Sequence, residues 1–515
     1  MNLGEITSRG AWRNRYGDAI VDAETGRRLT FDLLNQRVNR LAGAFGELGI
    51  RRGERVAILS RNAAEFMEVF FAAAKTGLVA QPLNWRLATP ELTRILEDGE
   101  PRALIYHEDF SPQVQELQRH VDLLHWIGFR PGEESVYEDL LARQPDEEPA
   151  LAAGDDDPFF ILYTGGTTGI PKGALHSHRS AFTAMVNQTV AERIAPTDVY
   201  LLTGQMFHIP VVLAMNYLAH ARPVVLFNFE PGKALELIAE ERISAFLAIT
   251  TMLNYLLNHP RLASSDLSSL RLIMYGGGPM PEPLIREAIA QLGCDLLQGY
   301  GQTEGGTMTF LPPWVHRDAI AGTNPHRLLS CGLEAHLTTV RVVDEAGRLV
   351  PRDGKSVGEI VVRSEANMIR YWRRPEETAT TLRDGWMWTG DLATWDEDGF
   401  IYIVDRKKEM IISGGENIYP AQVEAAIYRH PAVLECAVIG VPDDTWGESV
   451  KAIVVLKSGM SATEQDIIDV VKSQLASYMK PRSVDFVPSL PKGPTGKILK
   501  QELRAPYWEG RARSV

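Results

Sequence analysis

The sequence contains little cysteine. Its 515 residues include three cysteines, Cys294, Cys331 and Cys436, which lie far apart in the chain. None belongs to a Cys-x-x-Cys pair, the spacing typical of zinc and redox sites, and three isolated thiols do not form a disulfide framework. We therefore expect a protein of a reducing compartment, the cytoplasm.

Long apolar runs and excess positive charge are also absent. No segment offers the roughly 18 uninterrupted apolar residues of a transmembrane helix, and residues 1–21 carry charges where a signal peptide would have an apolar core. The 53 basic and 66 acidic side chains give a net charge of −13. Such a field repels nucleic acid, so we expect no nucleic-acid partner, and an anionic ligand needs a locally positive pocket.

What remains is the composition of a globular protein, with 45% hydrophobic and 23% charged residues. Apolar residues at helical spacing over 31–49 and a buried strand at 55–59 begin an α/β alternation, which continues with further apolar strands. After residue 335, short strands separated by turns predict a β-rich subdomain. The fold class is therefore α/β, with mostly parallel sheets in a large N-terminal domain.

A charged cluster, Asp405 to Glu409, interrupts two apolar runs and predicts a domain boundary. The residues after it have the length and the mixed helix and strand pattern of a small α+β domain. We predict an N-terminal domain over 1–404, a hinge over 405–408 and a mobile C-terminal domain over 409–515.

The strongest local signal is a segment rich in glycine and threonine, Tyr163 to Gly173, with the sequence YTGGTTGIPKG. Its glycines permit close backbone approach, its threonines supply hydroxyl donors and its lysine supplies a cation, which together suit phosphate oxygens. It is not a Walker loop, because Pro171 stands where that pattern has glycine. The predicted phosphate ligands are Thr164, Gly165, Gly166, Thr167, Thr168, Gly169 and Lys172.

At this segment the chain resembles the adenylate-forming superfamily, which includes acyl-CoA synthetases, aryl-CoA ligases, beetle luciferase and peptide-synthetase adenylation domains. The resemblance covers essentially the whole chain, and one departure is Gly165, where the family often has Ser or Thr. The other landmarks follow in the family's order, at 206–208, 275–280, 298–304, 388–391, 405–408, 413–420 and 494–497.

The resemblance implies a nucleotide site with defined roles. Tyr300 offers an aromatic face to the purine, Asp391 with Arg406 takes the ribose hydroxyls, and Glu304 holds Mg²⁺ between phosphates. The implied ATP and AMP contacts outside the glycine-rich segment are Gly276, Gly277, Gly278, Gln298, Gly299, Tyr300, Gly301, Thr303, Asp391, Arg406 and Lys497.

The resemblance also implies the catalytic groups Lys172, His208, Thr303, Glu304 and Lys497. Lys497 bridges the acid carboxylate and the α-phosphate while pyrophosphate leaves. Lys408 is then the hinge about which the C-terminal domain turns between two half-reactions. Gly414 and Gly415 line the channel for the pantetheine arm of coenzyme A.

The residues around His208 favour an acid with an apolar body. His208 takes the family's position beside the acyl carboxylate, and the apolar segment IPVVLAM follows it. Amino-acid-activating relatives carry an Asp in this segment to hold the substrate's ammonium group. The predicted acyl pocket, which leaves fatty, alicyclic and aryl acids open, consists of His208, Val212, Ala248, Thr251, Met252 and Gly277.

These observations predict an AMP-forming acyl-CoA ligase that uses ATP, Mg²⁺ and CoA. Two alternatives remain open: transfer of the acyl group to a separate carrier protein, and a chain that performs only one half-reaction or binds nucleotide without turnover. A homodimer is one open state of assembly.

Overall fold

The computed structural model describes residues 2–164, 171–278, 280–493 and 498–509. The chain divides into two compact units. The first unit comprises Met1–Val340 and Val362–Met387, and the second comprises Arg341–Val361 and Trp388–Val515. The hinge at 405–408 lies within the second unit, and its role as a pivot stays a prediction.

The strands are numbered in chain order. They are β1 Asp18–Asp22, β2 Arg28–Thr30, β3 Arg55–Leu59, β4 Val79–Leu83, β5 Ala103–His107, β6 His125–Phe129, β7 Pro158–Thr164, β8 Lys172–Ser177, β9 Tyr200–Leu202, β10 Val224–Leu226, β11 Ala245–Ala248, β12 Leu272–Gly276, β13 Asp295–Gln302, β14 Gly306–Leu311, β15 Leu333–Glu334, β16 Thr339–Val343, β17 Gly358–Arg363, β18 Arg370–Tyr371, β19 Leu382–Arg383, β20 Trp386–Trp395, β21 Ile401–Arg406, β22 Ile411–Ser413, β23 Glu416–Ile418, β24 Val433–Asp443, β25 Gly447–Leu456 and β26 Ser483–Phe486.

The α-helices are numbered in the same way. They are α1 Glu5–Arg13, α2 Phe31–Glu47, α3 Ala64–Thr76, α4 Thr89–Gly99, α5 Ser111–Leu117, α6 Val136–Ala142, α7 His178–Glu192, α8 Pro210–Ala219, α9 Pro231–Glu240, α10 Thr250–Leu257, α11 Glu282–Leu292, α12 Pro313–Ile320, α13 Pro375–Thr381, α14 Pro420–Ile427, α15 Glu464–Lys472 and α16 Lys500–Trp508.

Two large sheets build the first unit. One has the order β15-β14-β13-β12-β11-β9-β10-β1-β2, and the other has the order β18-β8-β7-β4-β3-β5-β6. The pairs from β13 to β1 and from β7 to β6 are parallel, while antiparallel strands lie at both edges of the first sheet and at the β18 edge of the second. Strands such as β3 are buried on both faces, as parallel strands between helices require. The predicted α/β class is confirmed.

Two five-stranded sheets contain the later strands. One has the order β16-β17-β20-β19, with β21 on β20; the other has the order β23-β22-β25-β24, with β26 on β25. In the second of these, α14 and α15 contribute Val423, Ile427, Ile467 and Val471 to one apolar core with the strands. The β-rich subdomain and the small α+β domain are confirmed in this arrangement.

The apolar helices are core helices. Helix α3 is buried on nearly every side, although it is only 13 residues long. Helices apolar all round belong in the interior of a large core. None of the helices that the structure describes combines the length and the apolar character needed to span a bilayer.

Candidate active site

The glycine-rich segment joins the two strands of a hairpin. Thr164 at the end of β7 pairs with Lys172 at the start of β8, and the Thr164 hydroxyl donates to the Lys172 carbonyl at 3.3 Å. This pairing fixes both ends of the predicted phosphate loop on one sheet. The remaining predicted phosphate ligands, Gly165, Gly166, Thr167, Thr168 and Gly169, lie outside the described residues.

A tyrosine connects the predicted cation and the predicted metal ligand. Tyr371 on β18 donates its hydroxyl proton to Glu304 Oε1 at 2.7 Å, and the Lys172 ammonium lies 5.4 Å from the centre of the same ring. Burial, and then the negative charge of Glu304, raise the pKa of Tyr371 well above its ordinary value, so the hydroxyl keeps its proton. The backbone N–H of Met368 also donates to the Glu304 carbonyl, at 2.7 Å. Tyr371 was not among the residues predicted from the sequence.

Thr303 and Glu304 occupy the turn between β13 and β14. Gly301 pairs with Thr307, and a Cβ on Gly301 would lie 2.0 Å from the Gly306 carbonyl oxygen, so this tight turn requires glycine. Buried His176 donates from Nε2 to the Thr303 carbonyl at 2.8 Å, because that oxygen only accepts. Burial lowers the pKa of His176 to about 4, so the ring is neutral at pH 7 and holds the turn through a fixed tautomer.

The predicted purine platform is assembled from two parallel strands. Tyr275 pairs with Gln298 and Gly276 pairs with Gly299, at the carboxyl ends of β12 and β13. A Cβ on Gly276 would lie 2.3 Å from the Gly299 carbonyl oxygen, and Gly277 has φ +79°, which favours glycine. The structure therefore brings the Gly276 to Gly278 segment beside the Gln298 to Gly301 segment, and their role in binding the purine stays a prediction.

The predicted ribose ligands lie together in the second unit. Asp391 on β20 pairs with Arg406 on β21, and the Arg406 Nε lies 2.9 Å from Asp391 Oδ1. The Asp391 side chain is 5% exposed and the Arg406 side chain is 45% exposed. Strand pairing thus holds a carboxylate and a guanidinium side by side, with the guanidinium open to solvent.

Lys408 lies directly after this strand, in a short 3₁₀ helix over Lys407–Glu409. Burial, and then repulsion by Arg406, lower the pKa of its ammonium group. Its neighbour Asp405 accepts from the Ala421 N–H at 2.8 Å, and burial raises the pKa of Asp405 to about 6.

Gly414 and Gly415 form the turn of the β22–β23 hairpin. Their φ angles are +61° and +85°, and a Cβ on Gly414 would lie 2.5 Å from the Trp446 ring. Both glycines are therefore required by local geometry. Lys497 lies outside the described residues.

Of the predicted acyl pocket residues, Val212 and Ala248 belong to two different apolar clusters. Val212 belongs to a core cluster with Phe207, at the start of α8, and the half-buried His208 ring lies 4.6 Å from the Phe207 ring. Ala248 belongs to a second cluster, against which Met252 packs. Thr251 and Gly277 are exposed.

The fold and the site define an adenylate-forming enzyme. The chain belongs to the AMP-binding enzyme family: it matches that family over residues 10–372 and the AMP-binding enzyme C-terminal domain over residues 422–497. The predicted family is confirmed.

Three curated relatives cover nearly all of the chain. Long-chain-fatty-acid–CoA ligase FadD13 of Mycobacterium tuberculosis is 37% identical, with 98% of each chain covered. Feruloyl-CoA synthase of an Amycolatopsis species is 38% identical, with 98% of each chain covered. Fatty acid–[acyl-carrier-protein] ligase ScoC of Streptomyces coeruleorubidus is 36% identical, covering 95% of this chain and 94% of that protein.

A solved structure agrees with these relatives. The fatty acyl CoA synthetase of Mycobacterium tuberculosis is 36% identical, covers 99% of both chains and superposes with a TM-score of 0.79. The chain is thus an AMP-forming acid–thiol ligase of the acyl-CoA synthetase type, as the motifs predicted.

Proposed function

We propose that this ligase activates a carboxylic acid with an apolar body, using ATP and Mg²⁺, and passes the acyl group to free CoA. The observation that carries the proposal is the cluster of Lys172, Tyr371 and Glu304 at the end of the glycine-rich hairpin. Tyr371 there donates a hydrogen bond to the Glu304 carboxylate, which would bind the metal. The same ring lies beside the Lys172 ammonium, which would bind a phosphate. The apolar helix α8 then supplies a wall for the acid.

In the first half-reaction, a carboxylate oxygen of the acid attacks the α-phosphorus of ATP and pyrophosphate leaves. Lys172, the Thr303 hydroxyl and Lys497 stabilise the negative charge that develops on the phosphates. Tyr371 orients Glu304 through Oε1, which leaves Oε2 as the oxygen that would hold the metal. His176 holds the Thr303 turn in place through its hydrogen bond to the Thr303 carbonyl.

The donor set around Glu304 suits Mg²⁺. Among the residues that the structure describes, no group of three or more His, Cys, Asp or Glu side chains could hold a metal ion. Mg²⁺ is usually bound by one or two carboxylates together with substrate phosphates, and not by a complete protein cage. Glu304 would hold it, and the ion would neutralise phosphate charge.

In the second half-reaction, the CoA thiolate attacks the acyl carbonyl carbon and AMP leaves with the acid's oxygen. The mixed anhydride is reactive enough to need no protein nucleophile, so positioning is the protein's contribution. We assign Lys408 to the pivot between the two steps and the Gly414–Gly415 turn to the pantetheine channel.

The acid itself is a fatty or an aryl acid. The names of FadD13 and of feruloyl-CoA synthase give one example of each class. Every residue of α8 from Pro210 to Leu218 is buried, so this wall of the proposed pocket excludes water. A substrate ammonium group would find no carboxylate on α8.

The test is an assay of the purified chain with ATP, Mg²⁺ and a panel of fatty, alicyclic, aryl and amino acids. With CoA, we expect AMP, pyrophosphate and acyl-CoA in equal amounts for at least one apolar acid, and none for amino acids. The name of ScoC motivates a parallel arm in which a phosphopantetheinylated carrier protein replaces CoA. A thioester on the carrier but not on CoA would contradict the proposed acceptor.

A further inference from the structure

A small cavity lies inside the first unit, between α7, α8 and β14. Its volume is about 20 Å³, which is room for roughly one water-sized group. Val212 and Leu213 line it from α8, as does Ile209 just before that helix. Gly306 and Thr307 line it from the strand that follows the Thr303–Glu304 turn. The cavity is therefore lined by residues that follow His208, assigned to the acid carboxylate, and by residues that follow the Thr303–Glu304 turn, assigned to the phosphates and the metal.

Most polar groups around this cavity have partners. Ser180 bonds with His176 at 3.2 Å, and His176 with the Thr303 carbonyl at 2.8 Å. Thr307 donates to Gln188 Oε1 at 3.4 Å, and the Gln188 amide nitrogen donates to Glu192. These contacts hold the polar lining residues in fixed orientations.

Asn216 is the exception among the lining residues. It is 1% exposed, and its Oδ1 accepts from the Thr189 hydroxyl at 3.0 Å. Its Nδ2 has no hydrogen-bond partner among the residues that the structure describes. A buried N–H donor without an acceptor is unfavourable, so such a group in a cavity indicates an occupant, a water or a ligand, that accepts a hydrogen bond.

The position of Asn216 gives its distance from the reacting end of the acid. His208, Val212 and Asn216 follow one another at intervals of four residues, so the last two lie on one face of α8. Helix α8 begins at Pro210, two residues after His208, and its six residue steps from Pro210 to Asn216 rise by about 9 Å. Asn216 thus lies about that far along the helix from the end that follows His208.

The charge around Asn216 restricts the ligand further. Fully buried Glu192 accepts from the Tyr217 hydroxyl at 2.6 Å and from Gln188. Burial raises the pKa of Glu192. A second carboxylate on the substrate would be repelled whenever Glu192 is ionised, and it would be desolvated in any case. A neutral oxygen is not repelled by an ionised Glu192 and carries no charge that burial would desolvate.

We infer that Asn216 is a specificity-determining residue, which donates from Nδ2 to a neutral acceptor oxygen at the end of the acid distant from its carboxylate. The inference rests on the proposed function. Its substrate class is an acid with an apolar body that carries a hydroxyl, ether or carbonyl oxygen at its far end. Val212 and Leu213 on either side fit the apolar part.

Matched acids test the inference without any variant. One pair is 4-methoxycinnamate and 4-ethylcinnamate, which differ by one oxygen in place of a methylene. A second set is a fatty acid of fixed length in which an ether oxygen replaces each methylene in turn. We expect one position of the oxygen to raise kcat/KM by about tenfold or more, because a buried donor left unpaired penalises the all-carbon acid.

The Asn216→Leu variant should remove this preference and favour the all-carbon acid. Asn258→Leu, at an exposed position outside the cavity, is the matched control and should retain it. Equal kcat/KM for oxygen-containing and all-carbon acids in the wild type would overturn the inference, with Nδ2 then satisfied by water. So would an unchanged preference in Asn216→Leu. Absence of turnover with every acid would instead contradict the proposed function.

Discussion

The two units support their predicted ligand-binding groups in different ways. In the first unit, the groups that hold Thr303 and Glu304 are buried: His176 is 3% exposed and Tyr371 is 7% exposed. In the second unit, Asp391 is held by strand pairing and by an arginine whose side chain is 45% exposed. Buried hydrogen bonds position a group tightly, whereas a solvent-exposed ion pair contributes little by itself. In the first unit, substitution of the buried residues that hold Thr303 and Glu304 should therefore lower the activity. In the second unit, substitution of the residues that contact the ligand directly should lower it.

The largest expected effect is that of Lys497→Ala, which tests whether the second unit acts through direct contact. Loss of a charge-stabilising contact made only in the adenylation transition state should slow that step by about a hundredfold or more. Formation of acyl-CoA from supplied acyl-adenylate should change little. Pyrophosphate release and thioester formation are measured separately, and equal loss in both would refute the assignment.

Tyr371→Phe tests the buried support in the first unit. It removes the hydrogen bond to Glu304 and keeps the ring beside Lys172. We expect a ten- to hundredfold higher Mg²⁺ concentration for half-maximal activity, since partners of metal ligands have effects of about that size. Tyr402→Phe is the matched control, because its hydroxyl donates to Asp396 in the second unit. An unchanged Mg²⁺ dependence in Tyr371→Phe would contradict the proposal that Tyr371 positions Glu304 for the metal.

A fall in pH should lower the free energy of unfolding of the first unit more than that of the second. Burial lowers the pKa of His176, His178 and His316 to about 4, so their stabilising contribution is present above pH 6.5 and is lost as pH falls toward 4. Burial raises the pKa of Glu65 to about 7, which offsets part of the loss. Burial also raises the pKa of Asp405, in the second unit, to about 6; its contribution is lost as pH rises through 6 and regained as pH falls.

Hydrogen exchange at pH 7 and pH 5, corrected for intrinsic rates, measures this difference. We expect amides of the first unit to lose protection by roughly thirtyfold, about 2 kcal/mol, because the unfolded chain takes up protons that the buried histidines do not. The second unit should lose less. A greater loss in the second unit would contradict the comparison.

The smallest expected effect is that of Asp391→Ala. Loss of two hydrogen bonds to the ribose should raise the KM for ATP by about tenfold. The free energy of unfolding should change by less than about 1 kcal/mol, because the partner Arg406 is open to solvent. Asp485→Ala, which removes an ion pair with Lys451, is the control. Wild-type ATP kinetics in Asp391→Ala would refute the ribose role.

Much of this arrangement could be predicted from the sequence, since apolar strands and ordered motifs are local signals. The pairing of Gly276 with Gly299 follows from two such signals at neighbouring strand ends. Tyr371 could not be found in this way, because it approaches Glu304 from 67 residues away through the pairing of β18 with β8. Asn216 could not be found for a different reason: it lies within an apolar helix, and what distinguishes it is that its Nδ2 has no partner among the described residues.

The central claim is that the chain activates its acid as an acyl-adenylate. An acid labelled with ¹⁸O in its carboxylate, turned over with ATP and CoA, tests this claim most directly. The account predicts AMP that carries one labelled oxygen, because the thiolate cleaves the acyl carbon–oxygen bond and leaves the acid's oxygen on phosphorus. Unlabelled AMP, or ADP as the nucleotide product, would contradict it.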